Sequence, residues 1–372
     1  FLLILFKNFQ YTNGEFNFQF INNIGKIKKI SISLFSLFVI TIITQNVYLN
    51  YETITWDVAS YLVASIEVSE GYIPMETQWE SKGPVLFYIY EYLFDISNSN
   101  YVNFRLLNDV VLYLVSLILF FIVYILTGKK ILKSFMASVL FILLTSKVSY
   151  VSEFSELYCL FFISLAYLFN LMIKKVNLKY FIVGLLISLS SLVNQGSLLF
   201  LIPFIVMIIF DNKKNYKKSL IQMSVLLLAF TSFHVLFFSI YFSKDMADLY
   251  FANYVTIPLG YTGESLSSIY ELRVWARDFY RYDRFLYFSF FTLIFVFILD
   301  NVKSVRSSIS DINVISIIIG ILIYLIGSHN YYHHLFYFLF FLPLLFTKIS
   351  DRRYEMLIFS FIFFSTISIF IN

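Results

Sequence analysis

Two short polar stretches near the first apolar segment carry side chains that could do chemistry. Asp57 begins a run to Glu70 in which apolar residues recur at helical spacing, and Glu80-Ser81-Lys82 follows shortly afterwards. Helix-end amides keep a carboxylate in the first turn ionised, so Asp57 could accept a proton. Lys82 could hold an anion beside it. The plain alternative is that these charges are solvated in a polar loop.

A second group of basic residues has a spacing that suits an anion. Arg273, Arg277, Arg281 and Arg284 stand at spacings of 4, 4 and 3. On a helix they would form one stripe. The planar guanidinium fork matches phosphate oxygens, so the stripe predicts phosphate binding. The alternative is attraction to lipid headgroups.

Acidic and histidine residues elsewhere are further candidates. Glu153 and Glu156 stand at the start of one apolar segment, and His333 stands at the start of another. His329 and His333 are four residues apart, which suits zinc on a helix. Because the one cysteine, Cys159, is no natural partner for them, hydrogen bonding to a substrate is the favoured interpretation, and no metal ligand set is predicted.

The elements that must position these residues lie in a membrane. The chain is 59% hydrophobic and only 13% charged, whereas a soluble domain carries about 25% charged residues. Apolar runs of about twenty residues recur along its whole length. A single cysteine excludes an intramolecular disulfide framework. Composition therefore predicts an all-α polytopic membrane protein, with no nucleic acid among its partners.

Eleven segments are candidate membrane-spanning helices. They are 30–49, 110–126, 134–150, 157–173, 180–193, 197–210, 220–242, 285–299, 312–326, 335–346 and 356–371. Residues 180–210 could be one long helix, but lysines flank both ends, which favours two crossings broken at Asn194-Gln195-Gly196. The prediction is a cytoplasmic segment, 1–29, followed by a single transmembrane domain, 30–372, with amphipathic helices in the first outer loop.

The charges divide unequally between the two sides of this arrangement. With the N-terminus inside, 19 of the 27 basic residues are cytoplasmic and 17 of the 23 acidic residues are external. The basic excess inside follows the positive-inside rule and predicts a multi-pass plasma-membrane protein. Acid placement contributes little to orientation. The acidic excess therefore indicates that any chemistry lies outside, in the large loops 50–109 and 243–284.

The order of these motifs resembles a known family. The sequence resembles the dolichyl-phosphate-mannose–protein mannosyltransferases in the order of four features. These are one span, an Asp near the start of an outer amphipathic helix, a Gly…Pro turn and the motif W-E-S-K-G-P. This GT-C superfamily includes the bacterial transferases of aminoarabinose and galacturonic acid that act on lipopolysaccharide. S-E-F-S-E-L at 152–157 resembles its acidic outer loop, and S-H-N-Y-Y-H-H at 328–334 with the later L-P-L resembles its H-Y-…-P segment.

The resemblance implies inverting transfer of a sugar from a polyprenyl- or dolichyl-phosphate donor to a hydroxyl of a lipid, glycan or protein. Asp57 would be the general base. Lys82 and the arginine stripe would bind the donor phosphate, and Glu80, Glu156 and His333 would shape the site. Many members have an acidic pair where Asp57 is followed by Val58, so a second acid would be Glu80 or Glu156. The resemblance makes no cofactor certain, and assistance by a divalent metal stays open.

Two other function classes are alternatives. A lipid-linked glycan polymerase or ligase also has arginines in a late outer loop, but it would not need the acidic first loop. A secondary transporter would keep ionisable groups near mid-membrane on broken helices, in related halves. This chain keeps nearly all its charges at the ends of its spans, and no halves repeat.

Overall fold

The structure, a computed structural model, describes residues 10–12, 15–17, 24–45, 54–78, 80–146, 153–260, 311–326 and 332–348. Within these ranges the elements are helices, apart from one short antiparallel hairpin, β1 (Gln10–Thr12) and β2 (Glu15–Asn17). In chain order the helices are α1 (Ile24–Gln45), α2 (Trp56–Ser69), α3 (Pro84–Ile96), α4 (Tyr101–Leu126), α5 (Ile131–Ser146), α6 (Ser155–Met172), α7 (Val176–Ser191), a 3-10 helix (Gln195–Phe200) continuing into α8 (Leu201–Asp211), α9 (Tyr216–Ser243), α10 (Ala247–Phe251) continuing into a π-helical turn (Ala252–Thr256), α11 (Ile312–Ile326), and α12 (Phe336–Phe341) between two 3-10 helices (Tyr332–Leu335 and Leu342–Lys348).

Four helices are long and apolar enough to cross a membrane, namely α1, α4, α6 and α9. Shorter apolar helices are α5, α7, Gln195–Asp211, α11 and His333–Leu345. Each predicted span within the described residues coincides with one of these helices. Spans 285–299 and 356–371 lie outside the described residues. The helical architecture is therefore confirmed, with four helices that could cross a membrane, and the count of eleven crossings stays a prediction.

The predicted break within 180–210 is present. α7 ends at Ser191, and the next helix begins at Gln195. The Asp211 carboxylate, at the end of α8, interacts electrostatically with Lys179 and Tyr180 near the start of α7. The two segments therefore run in opposite directions, as a hairpin does.

The helices pack around a central group. α4 contacts α5 and α6, α6 contacts α7, and α7 contacts α9. The apolar windows of α4 and α6 are mostly buried within the protein, whereas those of α1 and α9 are mostly exposed. Exposed apolar helix faces cost little in lipid, so α1 and α9 are suited to the periphery of a membrane domain.

The first outer loop contains the two helices that the sequence predicts. Thr55 caps α2, since its side chain accepts a hydrogen bond from the Val58 N–H at 3.4 Å. Gly71, with φ +100°, turns the chain away from that helix in a conformation that an L residue rarely adopts. The next helix, α3, begins with Pro84 at its first position, where a missing N–H costs nothing.

The apolar residues of α2 do not form the single face that their spacing predicts. Val58 and Leu62 are buried against the protein, whereas Val63 and Ile66 are exposed, as is Trp56 at its start. The helix is therefore apolar on two sides. One side packs on α3, and the other is left to face lipid or the membrane interface.

Candidate functional site

The segment that carries Lys82 is docked on the break after α7. The N–H groups of Gly83 and Val85 donate to the carbonyls of Val193 and Leu192, each at 3.0 Å. These carbonyls would otherwise lack partners at the end of one helix, and these N–H groups would lack them at the start of another. The Gln195 amide also donates to the Ser81 carbonyl at 2.6 Å. Hydrogen bonds to the main chain on both sides of Lys82 therefore hold this part of the segment in place.

Glycine is required where this segment meets the helix break. A Cβ built on Gly83 would overlap the carbonyl oxygen and carbon of Leu192. The close approach puts Lys82 over the start of α6, where its Nζ lies 3.9 Å from the Glu156 Oε1. Two stretches that are far apart in sequence thus supply a cation and an anion to the same place.

Glu156 is buried and has several polar partners. The Asn194 amide donates to its Oε1 at 2.9 Å, and the Ser155 hydroxyl donates to its Oε2 at 3.0 Å. The same Asn194 accepts from the Gly196 N–H at 3.1 Å and so caps the following 3-10 helix. Burying a carboxylate is costly unless it is paired and hydrogen-bonded, and these partners meet that need.

Ser60 links Glu80 to the start of α2, which carries Asp57. The Ser60 hydroxyl is 3.0 Å from Glu80 Oε2 and 2.8 Å from the Asp57 carbonyl oxygen, while Glu80 Oε1 accepts from the Ser81 N–H at 2.8 Å. Among the residues that the structure describes, no donor bonds the half-buried Asp57 carboxylate. Glu80 is therefore held in place, and Asp57 can accept a proton from a bound molecule.

Tyr61 and His333 show that these groups share one space. Burial raises the pKa of the Tyr61 phenol well above its ordinary value, and three carboxylates raise it further. In decreasing order of effect they are Glu80, Glu156 and Asp57. The His333 ring in turn interacts electrostatically with Glu156, Lys82 and Asp57. The predicted residues of the first loop, of α6 and of the α12 region therefore converge.

Two adjacent histidines complete the described part of the site. The His333 ring stacks on Phe154, with ring centroids 4.2 Å apart and planes inclined by 11°. His334 Nε2 lies 3.7 Å from Glu156 Oε1. The potential ligand atoms of Glu156, His333 and His334 all lie within 4.8 Å of one another. The pair that approaches Glu156 is thus His333 with its neighbour, and His329 lies outside the described residues.

The four arginines of the predicted phosphate-binding stripe cannot be placed. Residues 261–310 lie outside the described part of the chain, and they include Arg273, Arg277, Arg281 and Arg284. The assignment of these arginines to a phosphate stays a prediction. The other predicted site residues all lie near Tyr61 and His333, and they are Asp57, Glu80, Lys82, Glu156 and His333 itself.

Sequence reasoning missed several residues of this site. Asn194 and Gln195 were given only as the place where the helix breaks, and His334 was not assigned a role. The sequence feature that could have identified these three residues is a polar side chain that interrupts an apolar run next to the predicted outer end of a span. Ser60 and Tyr61 follow Asp57 within one helical turn and could have been found by that proximity.

A second buried charged cluster lies behind the site. Arg105 forms an ion pair with Glu153, three residues before Glu156, and the Tyr101 hydroxyl donates to the same carboxylate at 2.6 Å. The Tyr90 hydroxyl donates to the Glu153 carbonyl oxygen. The spacing of Arg105 and Asp109, four residues apart on one helix, favours a pair between them, but the described ion pair joins Arg105 to another element. The cluster holds the turn that leads into α6.

The geometry can do two things chemically. A half-buried carboxylate, Asp57, can take a proton, and a fixed cation, Lys82, can hold an anion beside a buried acid. Comparison of the chain with protein-family models, with curated proteins and with solved structures gives no match.

Proposed function

We propose that the protein is an integral-membrane inverting glycosyltransferase. It transfers a sugar from a polyprenyl- or dolichyl-phosphate donor to a hydroxyl of a lipid, glycan or protein acceptor, on the outer face of the plasma membrane. The observation that carries the proposal is the convergence of Asp57, Lys82 and Glu156 around His333. Three distant stretches supply a proton acceptor and an anion site together.

Asp57 is the general base. An acceptor hydroxyl must lose its proton as it attacks the anomeric carbon, so a carboxylate must be within hydrogen-bond reach. The Asp57 side chain is half-buried, and no donor in the described residues competes for it.

Lys82 binds the leaving lipid phosphate. The negative charge on this phosphate grows as the glycosidic bond breaks, so a cation that is already in place stabilises the transition state. The two backbone bonds of Gly83 and Val85 fix the chain next to Lys82, which lowers the cost of orienting it during the reaction. Arg273, Arg277, Arg281 and Arg284 would add further donors to the same phosphate.

Glu80 and Glu156 have supporting roles. Ser60 and the Ser81 N–H orient Glu80 beside the base. Glu156 keeps Lys82 near the centre of the site until a phosphate arrives. His333 interacts electrostatically with both Lys82 and Asp57, so it is close enough to influence both the proposed donor and acceptor sides.

The test is transfer by purified full-length protein from a panel of polyprenyl-phosphate sugars, with and without chelator. Asp57→Asn keeps the shape of the side chain but removes its basicity, so we expect transfer to fall by at least about 100-fold. Asp95→Asn, at an exposed position on α3, is the matched control and should retain activity. Undiminished transfer by Asp57→Asn would remove the proposed mechanism.

A second pair of variants separates donor binding from proton transfer. Lys82→Met should weaken binding of the donor, which raises the KM for the donor. It should also lower kcat, because the cation acts in both the ground and transition states. Lys244→Met changes a lysine that pairs with Glu76 at 3.4 Å, and serves as the control. Equal kinetics for Lys82→Met and the unmodified protein would contradict the phosphate role.

A further inference from the structure

One cluster in the described residues has the composition of a transition-metal site. Glu156 supplies a carboxylate, and His333 and His334 supply one ring nitrogen each, with all three ligand atoms within 4.8 Å of one another. A carboxylate with two imidazoles is the ligand set of many catalytic zinc sites, which keep a further coordination position open. We propose that these three side chains bind a divalent transition-metal ion of the zinc class.

The ligand types select the class of ion. Imidazole suits Zn²⁺, Cu²⁺, Ni²⁺ and Fe²⁺, whereas Mg²⁺ and Ca²⁺ prefer all-oxygen ligands. Two of the three groups in the cluster are imidazoles, on adjacent residues of one 3-10 turn (Tyr332–Leu335). The site therefore discriminates against Mg²⁺, the ion that most often accompanies phosphates.

The groups around the ligands orient them as metal sites require. Asn194 and Ser155 each donate to one oxygen of Glu156, which leaves a second lone pair on each oxygen. Phe154 fixes the plane of the His333 ring by stacking. Partners behind the ligands of this kind typically change metal affinity by about 10- to 100-fold.

Lys82 competes with a metal ion for the Glu156 carboxylate. Its ammonium group lies 3.9 Å from Glu156 Oε1, where it repels a second cation. Lys82 is partly exposed and can move away when the metal binds. Removing its charge should therefore tighten metal binding, by about tenfold or more at the effective dielectric of such sites. Adventitious binding to histidines elsewhere in the chain would be indifferent to this lysine.

The experiment uses full-length protein purified in detergent with an affinity tag that lacks histidine, and stripped with chelator. Co²⁺ is the probe, because its visible absorption reports its coordination. We expect one Co²⁺ per chain with a tetrahedral or five-coordinate spectrum, displaced by Zn²⁺ and unaffected by excess Mg²⁺. Failure to bind Co²⁺, or displacement by Mg²⁺, would overturn the proposal.

Variants assign the ligands. His334→Ala and Glu156→Gln should each lower Co²⁺ affinity by at least tenfold, and Lys82→Met should raise it. His234→Ala is the matched control, because this ring lies 2.9 Å from Ser191 and is not one of the three proposed ligands. If Glu156→Gln does not fold, as judged by size-exclusion chromatography, the partly exposed His334 still decides the question. Unchanged affinity in His334→Ala would refute this ligand set.

The proposal concerns binding and does not depend on the proposed sugar transfer. Stoichiometric Co²⁺ binding without transfer activity would support the metal site and contradict only the transferase proposal. Transfer activity that resists chelator in protein that binds no Co²⁺ would support the transferase proposal and contradict the metal site.

Discussion

At the residue scale, Arg105 and Glu153 illustrate what spacing alone can and cannot predict. Arg105 and Asp109 are one helical turn apart, which favours a pair within α4. The structure joins Arg105 instead to Glu153, a buried side chain 48 positions later in the sequence. Helical periodicity predicts which residues share a face, but it does not predict which neighbouring helix meets that face.

The Arg105–Glu153 pair should be strongly coupled in stability. Arg105→Met leaves the fully buried Glu153 without its cation, which typically costs about 3–5 kcal/mol. We expect a lower free energy of unfolding in mixed-micelle denaturant titrations. The double variant Arg105→Met with Glu153→Gln should recover much of the loss, because no buried charge is then left uncompensated. Equal losses for the single and double variants would contradict the coupling.

Glu76 gives a pH-dependent attachment of the first outer loop. The Ile73 N–H, 2.8 Å from Glu76 Oε2, is the main cause that lowers the pKa of this carboxyl from 4.5, and Lys244 adds to it. Because the folded pKa is depressed, the contribution is present above pH 4.5 and is lost as the pH falls through the lower folded value.

Hydrogen exchange of residues 72–78 measures this attachment. We expect exchange in this segment to accelerate below pH 4.5, after correction for the intrinsic rate, while α4 remains protected. Glu76→Gln cannot ionise and should show no such step. A step of the same size in Glu76→Gln would assign the transition to another group.

At the element scale, the site depends on a junction between the Glu80–Val85 segment and the end of α7. The sequence predicts each partner, because Gly83-Pro84 begins a helix and Asn194-Gln195-Gly196 ends one. It does not predict that they dock on each other, since backbone N–H and C=O groups carry no sequence signature. The specific signal is Gly83 itself, whose missing Cβ makes room for Leu192.

Gly83→Ala should therefore separate the two elements. The new methyl group would overlap the Leu192 backbone, which cannot rotate away as a side chain would, so we expect destabilisation of at least about 1–3 kcal/mol. Gly260→Ala is the control, because a Cβ there meets none of the described residues within 4 Å. Thermal unfolding in detergent measures both. Wild-type stability and transfer in Gly83→Ala would show that this junction does not hold the site.

At the scale of the whole molecule, one set of helix ends carries charges of both signs and another carries lysines. Ends that carry Lys82, Glu156 and His333 meet at the candidate site. Elsewhere, Lys29 and Lys129 line one groove where α1 and α5 begin, and Lys217 and Lys218 line another where α7 and α9 begin. Charge counting assigns these four lysines to the cytoplasmic side, because it needs only the order of the spans. That orientation stays a prediction.

The orientation of the two ends in the membrane is testable with single introduced cysteines. Glu70→Cys lies at the exposed end of α2, and Lys214→Cys lies in the exposed turn between α8 and α9. We expect an impermeant maleimide to label Glu70→Cys in intact cells, and Lys214→Cys only after permeabilisation, because the positive-inside rule predicts that the basic end faces the cytoplasm. The native Cys159 is fully buried, so the unmodified protein should remain unlabelled in both conditions. The reverse labelling pattern would put Asp57 and Lys82 on the cytoplasmic side and contradict transfer at the outer face.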